Sequence, residues 1–412
     1  MIFNYTLKNG IRIVINKLPG TFSSTIGILV GAGSANETPE ENGISHFIEH
    51  VNFKGTKKRS SFDISNESDM LGAQINAFTS KEMTCYYIKS TCDHTEKAFE
   101  ILSDIFVNSV YKKEELERER GVIIEEINMY EDTPDDVCVE LLSSAYFGEG
   151  GLGASILGPK QNVSRFLKKD ITAYKRKYYT TDNIVVSVCG GVDEAQFLEL
   201  CEKYLGALKP TQKEQKPAYN TINKQNHFAK HKDIEQVHLA VGFPGVDFLS
   251  PHADAYLVAY GVLGGGMSSR LFQTVREKLG LCYSVYAYAS TYSDCGYSMV
   301  YAGVNKESLE PAFDAVLAEV NKLKAHGIND EEFQRSREQM KSSLVFAQES
   351  TVSQMLLYGK RLLIAGEYFD FAKRFEEVSR LTKNDVNRVI AELMDVNSIA
   401  TAVVGNNVKP LR

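Results

Sequence analysis

The chain of 412 residues repeats itself. EELERER at Glu114–Arg120 returns as EEFQRSR at Glu331–Arg337, 217 positions later. Ala98-Phe99 returns as Ala312-Phe313 after 214 positions. Thr181-Asp182-Asn183-Ile184-Val185-Val186, ahead of Gly190-Gly191, resembles Asp395-Val396-Asn397-Ser398-Ile399-Ala400 ahead of Gly405, again 214 positions on. Three separate blocks with nearly one offset point to an ancient duplication. Each copy must then close a core of its own, and the length alone also suggests two domains. Lys209–Asn226 is polar, carries Pro210 and Pro217 and has no hydrophobic period, so it reads as the connection. The predicted organisation is a first domain at 1–208, a linker at 209–226 and a duplicate domain at 227–412.

Strand patterns such as Thr25–Val30, Cys85–Lys89 and Ile184–Val188 mix with long amphipathic helix patterns without strict βαβ alternation. That predicts α+β domains, each a mostly antiparallel sheet flanked by helices. The opening segment MIFNYTLKNGIRIVI reads as a strand pair turning at Asn9-Gly10. It has neither the basic and apolar regions of a signal peptide nor the composition of a transit peptide, so a cytoplasmic, bacterial protein is expected.

Composition excludes whole classes of function. Apolar residues make up 43% and charged residues 24%, the balance of a globular protein, and no run of 18 apolar residues could span a bilayer. Net charge is −7 and no basic block stands out, which argues against nucleic acid and anionic membranes as partners. Cys85, Cys92, Cys138, Cys189, Cys201, Cys282 and Cys295 form no C-x-x-C pair and read as structural thiols in a reducing compartment.

The chemistry is concentrated at H-F-I-E-H, His46 to His50. A helix can start at Gly43-Ile44-Ser45, and Phe47, Ile48 and Val51 give it an apolar side. Histidines at i and i+4 share one helical face and can chelate one zinc. Glu49 sits beside the second histidine, the inverse of H-E-x-x-H, and at i+3 from His46 it can still reach water on the metal as general base. An exposed helix could carry the same spacing without a metal, so a third ligand decides between the two. In ELERERGVIIEEINMYED, Glu119 and Glu126 lie about 700° apart and so share a face, with Val122 and Ile123 between them. Glu125 points away. Carboxylates in an apolar stripe need a compensating cation. Glu126 is therefore the expected third ligand, and Glu119 the partner that orients an imidazole or a water.

The duplication acts as a control. Shifted by 217, Glu119 falls on Ser336 and Glu126 on Ser343, and the region around Leu257–Gly261 holds no histidine. The whole proposed ligand set is missing from the second copy at once, so one Zn2+ per chain is expected. His227 and His231 have the same spacing but read as part of a strand, with no glutamate in place.

HFIEHVNFKGTKK, INAFTSKEMTCYY and ERERGVIIEEINMYEDTP together resemble the pitrilysin/insulinase family of inverted-zincin peptidases, and most of all the bacterial relatives of the mitochondrial processing peptidase. The resemblance runs the whole chain, through GGGMSSRLFQTVREKLGLCYSVYAY. It implies His46, His50 and Glu126 as ligands, Glu49 as base and Glu119 as supporting acid. It also implies that Asn76, Ala77 and Phe78 lie on an edge strand that binds extended substrate. Arg276 and Tyr283 would grip substrate and help stabilise the tetrahedral intermediate. The implied protein is one half of a clamshell, working as a homodimer on peptides or unfolded segments in an enclosed chamber. A catalytically inactive partner subunit of the same family is the alternative, and a metal- or peptide-binding module without turnover is a further one.

Overall fold

The structure is a computed structural model that describes residues 1–212 and 223–412; the middle of the predicted linker lies outside the described residues. It divides into two compact units that are interleaved in sequence. Met1–Ile127, Ser155–Pro217 and Val345–Asp370 make the first, and Asn128–Ala154, Ala218–Leu344 and Phe371–Arg412 make the second. The predicted contiguous division at 1–208 and 227–412 therefore needs correction: each half of the chain lends one helix to the other half's sheet.

The strands are β1 (Ile2–Thr6), β2 (Arg12–Lys17), β3 (Ser23–Val30), β4 (Gln74–Thr79), β5 (Thr84–Thr91), β6 (Ile184–Gly190), β7 (His227–His231), β8 (Val237–Pro244), β9 (Cys282–Thr291), β10 (Gly296–Val304) and β11 (Ala400–Gly405). The helices used below are α1 (Ile44–Asn52), α2 (Ser61–Met70), α3 (Thr95–Asn108), α4 (Lys113–Glu131), α5 (Pro134–Phe147), α6 (Lys168–Tyr178), α7 (Ala253–Gly264), α8 (Asp330–Ala347) and α9 (Thr351–Ala365).

In the first unit the strand order is β1-β2-β6-β3-β5-β4. Only β2–β6 is parallel. β1 and β2 form the predicted pair, turning through Gly10 at φ +102°. Ile26, Ile28, Val186 and Val188 are fully buried in the main core with Phe47 and Phe99. Each such side chain contributes about 1.5–3 kcal/mol of burial. β6 is buried along its whole length because α9 covers the sheet's second face. There Asn16 Nδ2 donates to Gln354 Oε1 at 2.6 Å and Ser187 Oγ to the Met355 carbonyl at 2.7 Å. A Cβ on Gly27 would meet Met355 Sδ at 2.2 Å, so a side chain there would displace the Met355 side chain of α9.

The second unit repeats the plan in the order β7-β11-β8-β10-β9, with β7–β11 its parallel pair. Here α5 packs on β11 and β8. Both repeats thus end in an exposed edge strand, β4 in one and β9 in the other. All seven cysteines are free thiols.

Candidate metal centre

α1 starts where the sequence suggests, after Gly43 at φ +97°, a conformation glycine adopts without strain. Its free N-terminal amides are met by a side chain the sequence reading missed. Buried Glu37 accepts from Gly43 N at 2.7 Å, Ser45 N at 2.8 Å and Asn42 Nδ2 at 3.0 Å. A carboxylate there satisfies orphan donors and complements the helix dipole. Burial nevertheless pushes the Glu37 carboxyl up to about 7, against the opposing hydrogen bonds from Ser45, Gly43 and Asn42. Ser45 Oγ pairs with Tyr174 on α6 at 2.8 Å, so α1 is held at its start from two sides.

Three ligand atoms converge from α1 and α4. His46 Nε2 and His50 Nε2 are 3.2 Å apart, and Glu126 Oε2 lies 3.6 Å from the first and 3.4 Å from the second. Ligands about 2.0–2.1 Å from a tetrahedral zinc are separated by roughly 3.3–3.4 Å, so these spacings fit one such ion. Glu126 Oε2 is also buried without a hydrogen-bond partner, as expected of an atom meant for a cation. Among the described residues this is the one His/Cys/Asp/Glu group that could hold a metal.

Around it the side chains are ordered by charge. His50 Nδ1 lies 2.9 Å from Glu119 Oε1. An ionised carboxylate only accepts, so Nδ1–H donates and the Nε2 lone pair is left for the metal. Lys54 Nζ holds the other Glu119 oxygen at 2.8 Å. Burial would raise the Glu119 pKa, but the bonds from His50 and Lys54 outweigh it and hold it down. For His50 burial lowers, while the bond to Glu119 and the charges of Glu49, Glu126 and Glu119 raise, and the net shift is upward. Burial, with His50 adding to it, holds His46 at about 3, so its ring is neutral. Glu49 is pushed up by burial and accepts from Thr79 Oγ1, at the end of β4, at 2.6 Å.

Glu125 is exposed, about 100° around α4 from Glu126. The apolar stripe is narrower than predicted: Ile123 is buried but Val122 is 53% exposed. Asn76, Ala77 and Phe78 lie in β4, at the sheet's edge. In the second unit Arg276 falls in a turn wound as a π-helix, Phe272–Lys278, and its guanidinium stacks over Phe272 at 4.6 Å and Tyr283 at 5.5 Å. Ser284 pairs Gly303 and Cys282 pairs Val304, so Tyr283 is the extra residue of a β-bulge and is turned outward, 79% exposed. His227 and His231 do lie on a strand, where four residues span about 13 Å, too far to share an ion. At the place that answers to Glu119, Ser336 on α8 donates to the Val258 carbonyl of α7 at 3.0 Å. The duplicate helices are joined there by a neutral bond.

Lys54, Thr79 and Glu37 were absent from the sequence reading. Lys54 had a signal, its place four residues after His50, just past the end of α1; Thr79 directly follows Asn76-Ala77-Phe78; Glu37 had none.

The family profile described as insulinase (peptidase family M16) matches residues 12–160. The uncharacterized zinc protease YmxG of Bacillus subtilis is 40% identical over 396 residues, which cover 95% of this chain and 96% of that protein. The chain belongs to the insulinase family of peptidases. A second insulinase-family profile, described as peptidase M16 inactive domain, matches residues 165–340, largely the half without the histidine pair. An uncharacterized zinc protease of Rickettsia felis is 35% identical over 97% of each chain. The fold recurs in a protease from Helicobacter pylori, with a TM-score of 0.91 at 24% identity over 98% of this chain and 99% of the other.

Proposed function

We propose that this insulinase-family chain is a zinc-dependent endopeptidase that cleaves peptides or unfolded segments bound in extended form. The observation that carries the proposal is the convergence of His46 Nε2, His50 Nε2 and buried, unpartnered Glu126 Oε2 at spacings suited to one zinc. The zinc-protease names of the relatives support the choice of metal. When bound there, zinc supplies Lewis acidity toward a water and the scissile carbonyl.

The chain's own residues do the rest. Glu49 takes the proton of the attacking water on a carboxylate oxygen and passes it to the leaving amine nitrogen. Glu119 and Lys54 hold the His50 proton on Nδ1. The free side of β4 at Asn76, Ala77 and Phe78 takes the substrate backbone as an added strand, which selects extended chain over sequence. Arg276 and Tyr283 grip the substrate and the developing oxyanion. The working form is a homodimer in the bacterial cytoplasm, with one zinc per chain and an enclosed chamber. No helix among the described residues is long and apolar enough to cross a membrane.

The test is metal analysis of the purified chain together with digestion of a quenched peptide, with and without chelator. One zinc per chain and chelator-sensitive cleavage are the expected results. Stoichiometric zinc without cleavage would instead mark an inactive partner subunit or a binding module.

A further inference from the structure

We infer that Thr79 is a positioning residue for the base, tying the substrate-binding edge strand to the orientation of the Glu49 carboxylate. The inference rests on the reading of Glu49 as general base. Three observations carry it. Thr79 is the last residue of β4, paired with Thr84 of β5, so its backbone is fixed by the sheet. Its Oγ1 donates to Glu49 Oε2 at 2.6 Å, the short separation of a hydroxyl bonded to a carboxylate. Glu49 lies on α1 between His46 and His50, whose Nε2 atoms converge with Glu126 Oε2 of α4.

A glutamate side chain has several free torsions, and proton transfer requires its acceptor oxygen within hydrogen-bond reach of the water. With Oε2 engaged by Thr79, the carboxylate plane is set and Oε1 is the oxygen left to receive the proton. The hydroxyl belongs to the strand that takes the peptide, three residues beyond Asn76. Substrate backbone and base are thereby registered against one rigid element, and proximity of this kind governs kcat more than binding.

Thr79→Val keeps the β-branched shape and removes the donor; Thr79→Ser keeps the donor. The full-length, zinc-loaded chain is assayed on a quenched peptide, with metal content measured alongside. Thr79→Val is expected to lose ~10–100-fold in kcat, with KM within about twofold and zinc unchanged. Thr79→Ser should recover to within about threefold of wild type. Added to Glu49→Gln, Thr79→Val should cost nothing further, because the two share one path.

Unchanged kcat in Thr79→Val beside an inactive Glu49→Gln overturns the inference and leaves the base standing. An equal loss in both backgrounds, or loss of zinc, also overturns it. An active, zinc-loaded Glu49→Gln removes the base reading itself. Should Thr79→Val not fold, Thr79→Ala carries the same comparison.

Discussion

His50 offers Nε2 to the cluster because its other nitrogen is already committed to Glu119, whose second oxygen is held by Lys54. Glu119→Gln exchanges a charged acceptor for an amide that could accept or donate, so His50 loses its fixed tautomer. Zinc affinity should fall ~10–100-fold, read by competition with a chromophoric chelator. His46→Ala and Glu126→Ala remove ligand atoms and should leave the chain without stoichiometric zinc after gel filtration, whereas Glu125→Ala should retain it. Zinc loss in Glu125→Ala would mean the wrong face of α4 was chosen. Glu49→Gln keeps the shape but cannot take up the proton, so zinc should stay while kcat falls by roughly 10² or more. The residues legible in the sequence were those whose relation is local: His46, Glu49 and His50 lie within one turn of α1, and Glu119 and Glu126 within two turns of α4. The bonds of Thr79 and Glu37 to α1 were not legible because they cross 30 and 8 positions of irregular spacing, and only the folded backbone brings the partners together.

Elements of the first unit are also tied by charge, away from the metal cluster. Buried Arg59, just ahead of α2, reaches Glu67 of α2 at 3.0 Å and Glu100 and Asp104 of α3 at 2.6 and 2.8 Å. Arg59→Met takes the cation from buried Asp104 and leaves Glu67 and Glu100 with Lys97, and should cost about 3–5 kcal/mol in urea unfolding near neutral pH. The effect has a defined pH dependence. Burial would raise the Glu100 pKa, yet the bonds from Arg59 and Lys97 prevail and hold it at about 2, below its ordinary 4.5. The stability this contributes is present above 4.5 and disappears as pH falls toward 2, because the unfolded chain takes up the proton first. The gap between wild type and Arg59→Met should therefore narrow steadily below pH 4.5. A gap constant from neutral pH to pH 3 would sink the account. Periodicity located α1, α4 and the core strands, since period and burial face are local properties. It could not assign α5 to the second sheet or α9 to the first. A helical pattern says which face must be covered and nothing about which sheet covers it. The bulge that turns Tyr283 outward is equally silent in sequence, because it depends on where β10 places Gly303 and Val304.

For the molecule as a whole, the near-constant offset told most of the architecture: the same five strands recur in the same neighbour order in both units. It also told which copy carries the ligands, since His46, His50 and Glu126 have no counterparts. What remains is how chains combine. In the proposed homodimer each chain carries both the ligand set and the Arg276/Tyr283 pair. A two-fold dimer repeats every contact, so each zinc-bearing unit can meet the second unit of the other chain. Mixed dimers separate shared from self-contained sites. Glu49→Gln chains and Tyr283→Phe chains, each nearly inactive alone, are combined and allowed to exchange subunits. If sites are shared, every mixed dimer holds one doubly damaged site and one intact site. Random pairing makes about half the dimers mixed, so peptide cleavage should return to about a quarter of wild type. If each chain completes its own site, every site keeps one lesion and mixing restores nothing. Subunit exchange is verified independently with two distinguishable tags. Full exchange without recovered cleavage would leave the homodimer possible but rule out a site built from two chains.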